Sequence, residues 1–553
     1  MPRTCVYRLP ASSMRRKRTG AGVSSSMPDV CTSNTNAPEE DASIHQLEGG
    51  LRVTTERTWQ IDVPCTFNLE ASHRFVAMTN PHNQCGPLLA DQVPVVTGND
   101  FQSLMAAFNK RCNVVHKDDI CDDEFEHALQ LIEEIKYEGP EWDENPADRE
   151  LWEQKFDSTK IVRMREAMHS IDQATYNYLG TKDISVKQEV LLKRNDPKWA
   201  ARVIYAGNDA FNAMTGPGMM ECMRRTNEIL AQQPLGPVHY MTAYKRSDTE
   251  LAEWIQTDAS SYPEVAEGDY SANDMHQRQR VHKLFDAWMR KCKMPMWLRK
   301  VYIKNNTFKV RSFKMGLQAT LKNQLPTGTT TTTPRNSVYN MLMFAVSCAQ
   351  QGVKARALVL GDDLLARTDL RLDLGLWTES VARFRMVLKA KAPKMNGEAT
   401  FLSKRLITNV EFPCMVPLLG KAIARFNARA IYKEDQTHSQ YMAGKSLSYA
   451  YEFRHVPFLR DFFLERYLAE DNTKMTADEL SWNTKTSGVE LANIVQAIKD
   501  ERVLVSDDDF LDWSMETYGL GLVDLTEIFE MVILSDQPTM VTHPAVHYLS
   551  IDW

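Results

Sequence analysis

The chain has 553 residues, a formal net charge of −7 and 43% hydrophobic residues, a composition typical of a soluble globular protein with more than one subdomain. The negative charge argues against a wholly basic nucleic-acid coat protein, although a local basic channel could still bind RNA. No apolar run approaches the roughly 18–20 residues of a membrane-spanning helix, and the ten cysteines are scattered without a CxxC pair, as expected of reduced thiols in a cytosolic protein.

The first fifty residues differ in composition from the rest of the chain. Residues 1–50 are rich in Ser, Thr, Pro, Asn and charged residues and contain the basic run Arg15–Arg18, so we expect a disordered tail. The basic run could be a targeting or RNA-contacting patch, but a solvated tail is the favoured interpretation. From about Leu51 the composition is globular, and helical periodicity appears around Phe125–Ile135, Val281–Cys292 and Leu491–Val503.

Two aspartates separated by four residues follow a run that could be a short strand. Asp269 begins the sequence Asp-Tyr-Ser-Ala-Asn-Asp, which ends at Asp274 and is followed by a helical pattern. We expect Asp269 at the end of a strand and Asp274 at the start of the helix, where a carboxylate could share a metal ion with another acid. The pattern is weak by itself, because aspartate is also a common helix N-cap.

A basic stretch with aromatic residues comes next. Polar and apolar residues alternate along Arg299–Lys314, and Asn305 and Asn306 lie at the middle of this segment. The pattern predicts a β-hairpin with a tight turn at the two asparagines. Its basic and aromatic side chains could follow an RNA backbone and stack on bases. A solvated hairpin edge protected by lysines is an equally good interpretation.

The most specific pattern is S/T-G-x3-T-x3-N, formed by Thr327, Gly328, Thr332 and Asn336. The glycine frees the backbone for a close approach to a nucleotide or template. Thr332 and Asn336 share one face of a helix, and an asparagine amide can donate to and accept from a ribose hydroxyl. A Thr-rich edge strand or linker is the alternative, but Pro334 fits the start of a helix better.

A pair of adjacent carboxylates follows between two apolar runs. The sequence Leu-Gly-Asp-Asp-Leu at residues 360–364 predicts a hairpin with Asp362 and Asp363 at its tip. A divalent cation would relieve the repulsion between the two acids. An ordinary Asp-rich turn is the alternative, because Gly-Asp-Asp alone is a common sequence.

The order of these three motifs resembles motifs A, B and C of viral RNA-dependent RNA polymerases. Within that family, the motifs are most similar to those of the noda-like and tombus-like positive-strand viruses. The resemblance covers roughly residues 180–430. Thr327 departs from the serine that often begins motif B; it keeps the hydroxyl, but its β-branch stiffens the loop. The flanking segments agree, with Lys187, Lys193 and Arg202 similar to motif F, Phe384–Lys389 to motif D and Ala399–Arg405 to motif E.

The resemblance implies an α+β right-hand fold with fingers, palm and thumb, in which an antiparallel palm sheet packs on helices. The ranges that it implies are an N-terminal extension and fingers at 51–260, palm around motif A at 261–289, a finger insertion with the basic hairpin at 290–325, palm with motifs B to E at 326–415, and a thumb at 416–553.

The resemblance also implies the chemistry, which is transfer of a nucleotide from an NTP to the 3′-hydroxyl of a nascent RNA on an RNA template, with two Mg²⁺ or Mn²⁺ ions. Asp269 and Asp362 are the expected metal ligands and Asp363 a secondary one. Lys389 would protonate the leaving pyrophosphate, with Lys391 as a close alternative. Basic residues must balance the triphosphate charge. Arg202 is the first candidate for binding the triphosphate, followed by Lys193 and Lys187. The other expected nucleotide-binding residues come from motifs A and B and are Asp274, Thr327, Gly328, Thr332 and Asn336.

Two other functions share parts of this pattern. A reverse transcriptase would share the palm and paired acids, but Asp274 and Asn336 imply a site that accepts a 2′-hydroxyl. A non-enzymatic RNA-binding replication protein should be more basic and would need no such acids. We expect the protein in the host cytoplasm at viral replication complexes, where other viral or host factors could bind it; the sequence shows no membrane association.

Overall fold

The computed structural model describes residues 43–47, 50–54, 63, 65–66, 83–90, 94–97, 100–143, 146–156, 158–169, 179–192, 200–313, 316–431, 434–472 and 493–552. Most of the expected tail lies outside these residues. However, Ser43–Leu47 forms strand β1, which pairs antiparallel with β2 at Gly50–Thr54. This strand pair lies at the end of the expected tail, and the tail itself stays a prediction.

Helices and strands are mixed along the described part of the chain. The further strands are β3 (Cys65–Thr66), β4 (Leu88–Leu89), β5 (Val95–Val96), β6 (Thr181–Val186), β7 (Val190–Leu191), β8 (Val203–Gly207), β9 (Val238–Thr242), β10 (Glu264–Tyr270), β11 (Thr307–Ser312), β12 (Leu317–Lys322), β13 (Ala355–Leu360), β14 (Asp363–Thr368), β15 (Leu388–Lys391), β16 (Thr400–Phe401), β17 (Lys404–Ile407), β18 (Cys414–Pro417) and β19 (Met540–Val541). The α-helices are α1 (Phe101–Arg111), α2 (Asp122–Glu134), α3 (Pro146–Glu153), α4 (Ser158–His169), α5 (Asp209–Gln232), α6 (Asp248–Gln256), α7 (Gln279–Lys291), α8 (Met296–Lys304), α9 (Thr332–Gln351), α10 (Leu374–Arg383), α11 (Leu419–Phe426), α12 (His438–Glu452), α13 (Pro457–Ala469), α14 (Ile494–Asp500), α15 (Asp507–Tyr518) and α16 (Leu522–Phe529).

A five-stranded sheet has the strand order β15-β10-β14-β13-β9 and is called the central sheet below. Its first four strands pair antiparallel with one another, as the resemblance implies for a palm sheet. The fifth strand, β9, pairs parallel with β13, so the sheet is not wholly antiparallel. The alternation of apolar residues reveals that a segment is a strand but not its direction, which is why sequence reasoning missed this exception. Strand β9 also lies within 51–260, the range expected to form the extension and fingers.

Helix α9 packs against one face of this sheet and is buried on almost every side. All residues from Val338 to Cys348 are at most 2% exposed, because the helix contacts the sheet as well as α2, α7 and α10. Trp377 on α10 meets Phe344 edge-on, with ring centroids 5.2 Å apart. A helix enclosed in this way is a rigid base for the strands above it.

A second five-stranded sheet, in the order β3-β12-β11-β6-β8, corrects the predicted basic hairpin. The hairpin joins β11 to β12, and its turn lies after Ser312, not at Asn305 and Asn306. The first half of Arg299–Lys314 is helix α8, in which Leu298, Val301 and Tyr302 are buried. Their spacing is helical, and the lysines between them were mistaken for the polar positions of a strand.

The C-terminal part is mainly helical. Helices α12 and α13 pack against each other. The strands β16, β17 and β18 form a small antiparallel sheet. Further along the chain, β19 pairs parallel with β4, and a 3₁₀ helix at Pro544–Asp552 packs on α11. The helix predicted at Leu491–Val503 is confirmed for Ile494–Asp500. Every helix in the described ranges is too short or too polar to cross a bilayer.

Candidate active site

Three carboxylates from two neighbouring strands meet at one end of the central sheet. Asp269 is the penultimate residue of β10, and Asp362 and Asp363 lie at the hairpin between β13 and β14. In the register of β10 with β14, Gly268 lies opposite Leu364, so the next pair sets Asp269 beside Asp363. The hairpin was predicted correctly. Gly361 has a φ of 64° there, a left-handed conformation that glycine adopts without strain.

Burial and neighbouring acids raise the pKa of two of these carboxylates, Asp362 and Asp363. Loss of hydration raises the pKa of Asp362 to about 6, with further increases from Asp274 and Asp269, while Arg202 acts in the opposite direction. Burial raises the pKa of Asp363 to about 7, with contributions from Asp362 and Asp269. No group of three or more His, Cys, Asp or Glu side chains in the described ranges is arranged as a complete metal site. The cluster nevertheless consists of hard oxygen donors whose repulsion a divalent cation would relieve.

Asp274 links the segment after β10 to the start of α9. Asn336 donates from Nδ2 to Asp274 Oδ1 at 2.7 Å, and the Thr327 hydroxyl donates to Asp274 Oδ2. Burial raises the pKa of Asp274, whereas these two hydrogen bonds lower it. Asp274 does not start a helix as predicted: it lies in a turn, and α7 begins only at Gln279. The turn carries Ala272 in a left-handed conformation with a φ of 50°.

The loop before α9 is fixed mainly by its own hydroxyl groups. Gly328 has a φ of 88°, and the preceding Thr327 carbonyl accepts from the backbone of Tyr205 at 3.0 Å, which ties the loop to β8. The Thr332 hydroxyl donates to the Pro326 carbonyl at 2.8 Å and accepts from Thr329 N at 3.1 Å. Thr332 and Asn336 therefore both lie on α9, but the Thr332 hydroxyl bonds within the loop and not to Asp274.

Two buried polar residues of α9, Ser337 and Asn340, hold the carboxylate hairpin and were not identified from the sequence. Ser337 Oγ accepts from the backbone N of Gly361 at 2.8 Å. Asn340 Nδ2 donates to the carbonyls of Gly361 and Asp363, each at 3.3 Å. Both side chains are fully buried. Polar residues inside an otherwise apolar buried helix were the available signal, because buried polar side chains normally have a specific partner.

The basic residues predicted to bind triphosphate are partly paired with an acid. Arg202 Nε donates to Glu189 Oε1 at 2.7 Å, and its Nη2 bonds the other oxygen. Lys187 Nζ lies 3.3 Å from the same carboxylate. Arg202 is also close enough to Asp362 for the two charges to interact. The third predicted residue, Lys193, lies outside the described residues.

The two candidate lysines of motif D have different neighbours. Strand β15 pairs with β10 so that Lys389 lies opposite Asp269, and Lys389 Nζ is 3.9 Å from Asp269 Oδ2. Lys391 Nζ instead lies 3.6 Å from Glu267. Glu267 accepts from both the backbone N and the hydroxyl of Thr400 on β16. Lys389 is thus the lysine beside the carboxylate cluster.

Comparison with known proteins extends the resemblance seen in the sequence. A family model described as RNA dependent RNA polymerase matches residues 60–482, which is more than half of the chain. The match reaches beyond residues 180–430 at both ends. No curated protein matches the chain.

Proposed function

Because the chain belongs to the RNA dependent RNA polymerase family, we propose that the cluster of Asp269, Asp362 and Asp363 is the centre at which it extends RNA. The protein is an RNA-directed RNA polymerase, a nucleotidyltransferase that takes NTPs as substrates and RNA as template. The observation that carries the assignment of the site is the meeting of three carboxylates at one end of the central sheet, two of them with raised pKa values.

Asp269 and Asp362 are the proposed ligands of two divalent ions, Mg²⁺ or Mn²⁺, and Asp363 is a secondary ligand. Carboxylate oxygens are the donors that these ions prefer. When bound, such ions stabilise the attacking and leaving oxygens of an in-line displacement. Ser337 and Asn340 hold the backbone on both sides of Asp362 and so orient its carboxylate.

Asp274, Asn336 and Thr327 are proposed to recognise the ribose. The Asn336 amide is oriented by two contacts, because its Nδ2 donates to Asp274 and its Oδ1 accepts from Gln277 Nε2 at 3.3 Å. An oriented group of this kind can bond a 2′-hydroxyl. Gly328 and Thr332 would act through the shape of the loop, since the Thr332 hydroxyl already bonds within that loop.

Arg202 is the leading candidate for the triphosphate, with Lys187 and Lys193 beside it. In the structure Glu189 balances the charge of Arg202 and Lys187. We propose that an incoming triphosphate replaces Glu189 as the partner of these cations, because phosphate oxygens match the planar guanidinium. Glu189 would then keep the basic group ordered between nucleotides.

Lys389 is the proposed proton donor to the leaving pyrophosphate. Its ammonium group lies beside the Asp269 carboxylate, whereas Lys391 is turned to Glu267. A positioned acid lowers the barrier to departure of a charged leaving group. Lys391 would instead stabilise the contact between β10 and β16.

A right-hand layout fits the order of the elements along the chain. We propose that the central sheet with α7, α9 and α10 is the palm, with β9 as an added strand. The sheet that contains β11 and β12 would belong to the fingers, and the helices after residue 416 to the thumb. We also propose that the protein is related to the polymerases of noda-like or tombus-like viruses. It would work in cytoplasmic viral replication complexes and bind other viral or host factors there.

The test is incorporation of labelled NTPs on an RNA template, with dNTPs as the control. Asp362→Asn should fold normally and lower incorporation by at least ~10³-fold, as expected for loss of a metal ligand. Asp369→Asn is the matched control, because Asp369 lies at the other end of the same hairpin and accepts from Lys354 N. A folded Asp362→Asn protein with near-normal activity would exclude the proposed site.

A further inference from the structure

A small cavity is lined in part by the loop that carries Gly328 and by the start of α9. It has a volume of about 20 Å³, and its lining includes Lys182 of β6, Arg335 of α9 and Thr329 of the loop. A volume of this kind holds about one water-sized species. Among the lining residues that the structure describes there is no Asp or Glu. The cavity is therefore polar and positively charged.

Lys182 is the unusual residue in this cavity. It is only 1% exposed, yet its Nζ has no hydrogen-bond partner in the described part of the chain. Its one favourable contact there is with the ring of Phe211, whose centroid lies 4.2 Å from Nζ. Burial lowers the pKa of Lys182 to about 8, and no acid in the described ranges offsets the effect. Buried lysines normally have an anionic partner, so this one lacks the group that would neutralise it.

Arg335 adds a second buried cation. Its Nη1 donates to His282 Nδ1 at 2.6 Å and its Nη2 to the Gln324 carbonyl at 3.3 Å, but Nε has no partner in the described residues. Burial lowers the pKa of His282 well below its usual value, so the imidazole is neutral and brings no charge. The hydrogen-bond partners of Arg335 in the cavity wall are thus neutral. Burial lowers the pKa of Arg335, and the Asp274 carboxylate, which does not line the cavity, offsets only part of this effect.

We propose that this cavity binds one small inorganic anion, of the size of chloride, between Lys182 and Arg335. Such an ion would neutralise a buried ammonium and satisfy N–H groups that otherwise have no acceptor. It would also connect β6 to α9 directly behind Thr329, and so stiffen the loop next to the carboxylate cluster. Binding of the anion can be measured without the polymerase reaction. A failure of the anion site is therefore distinguishable from a failure of the proposed function.

Bromide provides the direct test, since it resembles chloride and scatters anomalously. Crystals of the full chain soaked in bromide should show one anomalous peak in contact with Lys182 Nζ. The main alternative is a water molecule that bridges Lys182 to Asn305, whose Oδ1 also lacks a partner among the described residues. A water there, with no bromide peak, would overturn the proposal.

Substitution gives an independent test in solution. The wild-type melting temperature should be higher by roughly 2 °C in chloride than in gluconate at equal ionic strength, because only the small anion fits. Lys182→Met should abolish the difference. Lys309→Met is the matched control, since Lys309 lies on the adjacent strand β11 and is exposed; it should keep the difference. An unchanged chloride effect in Lys182→Met would contradict the proposal, and if that variant does not fold, the bromide result on the wild type decides.

Discussion

Asp274 is the residue through which two distant parts of the sequence become one site. Its two oxygens accept from Thr327 and Asn336, which follow it by 53 and 62 residues. Because Asp274 is buried, each of these bonds also helps to keep its carboxylate ionised. Removal of either donor should therefore disturb the recognition of the sugar more than the fold.

Asn336→Ala should reduce the preference of the polymerase for ribonucleotides. The variant loses the amide that contacts Asp274, and a 2′-hydroxyl then meets an incompletely satisfied site. The penalty is about 1–3 kcal/mol, or roughly ten- to a hundredfold in kcat/KM for NTP. The much weaker use of dNTP should be nearly unchanged. The measurement is kcat/KM for a matched NTP and dNTP pair; an unchanged ratio would remove Asn336 from the ribose site.

Arg202→Ala should raise the KM for NTP or lower kcat more than it weakens binding of RNA. The reason is that Arg202 lies near Asp362 and pairs with Glu189, which the triphosphate is proposed to replace. Glu189→Gln is the informative companion, because it removes the competing acid and should lower the KM. If Arg202→Ala mainly abolished template binding, Arg202 would belong to the RNA channel instead.

For single residues, the spacing of the motifs singled out Asp269, Asp362 and Asn336. The structure places Asp269 and Asp362 at one end of the central sheet and bonds Asn336 to Asp274, and their roles in nucleotide transfer stay predictions. Ser337 and Asn340 were missed because their partners are backbone atoms of the hairpin. A backbone group has no sequence signature, so the sequence could mark these two polar residues as unusual but could not identify their partners.

At the scale of elements, the carboxylate hairpin depends on α9 for its position. The turn itself is specified locally by Gly361, and a Cβ at that residue would meet no atom within 4 Å. Its placement over the helix is specified by Ser337 and Asn340. The helix lies deep in the core and so transmits little thermal motion to the turn.

Ser337→Ala should lower kcat and weaken the response to Mg²⁺ while the protein remains folded. The Gly361 amide loses its acceptor, which costs about 1–3 kcal/mol for a buried donor, and the Asp362 carboxylate is less well oriented. Ser347→Ala is the matched control, because Ser347 is equally buried on the same helix but bonds Gln351. The Mg²⁺ concentration for half-maximal rate should rise in Ser337→Ala alone. Equal behaviour of the two variants would contradict the positioning role.

The element that sequence reasoning misjudged was α8. Its buried residues Leu298, Val301 and Tyr302 follow a helical period, but Lys300 and Lys304 interrupt them at positions that also suit a strand. Over nine residues the two periods differ at few positions. The longer helices α7 and α2 were predicted well, because their pattern runs over thirteen residues each.

At the scale of the whole molecule, a buried ion pair joins the small sheet of β16, β17 and β18 to the 3₁₀ helix at Pro544–Asp552. Arg405 Nη2 lies 2.7 Å from Asp552 Oδ1, and both side chains are almost completely buried. The other oxygen, Asp552 Oδ2, accepts from Gly420 N at 2.7 Å and from the Tyr518 hydroxyl at 3.1 Å. A side chain at Gly420 would be only 2.1 Å from the Leu549 carbonyl, so the two segments are in close contact.

Asp552→Asn should destabilise the protein by about 3 kcal/mol, because it leaves the Arg405 charge buried without its partner. Glu398→Gln is the control, since it breaks an exposed pair with Lys394 whose atoms are 3.7 Å apart and should change stability by less than about 1 kcal/mol. Thermal unfolding of the two variants gives the comparison. A melting temperature for Asp552→Asn equal to that of Glu398→Gln would show that Arg405 is satisfied without Asp552.

The contact between Arg405 and Asp552 also has a consequence for the order of synthesis. Residue 552 leaves the ribosome 147 residues after Arg405, and β4 must likewise wait for β19 before it gains its partner strand. Such long-range contacts form late in folding. A nascent chain therefore lacks the support of this segment after the whole central sheet has been synthesised, and these two contacts can form only once the residues around Asp552 have left the ribosome.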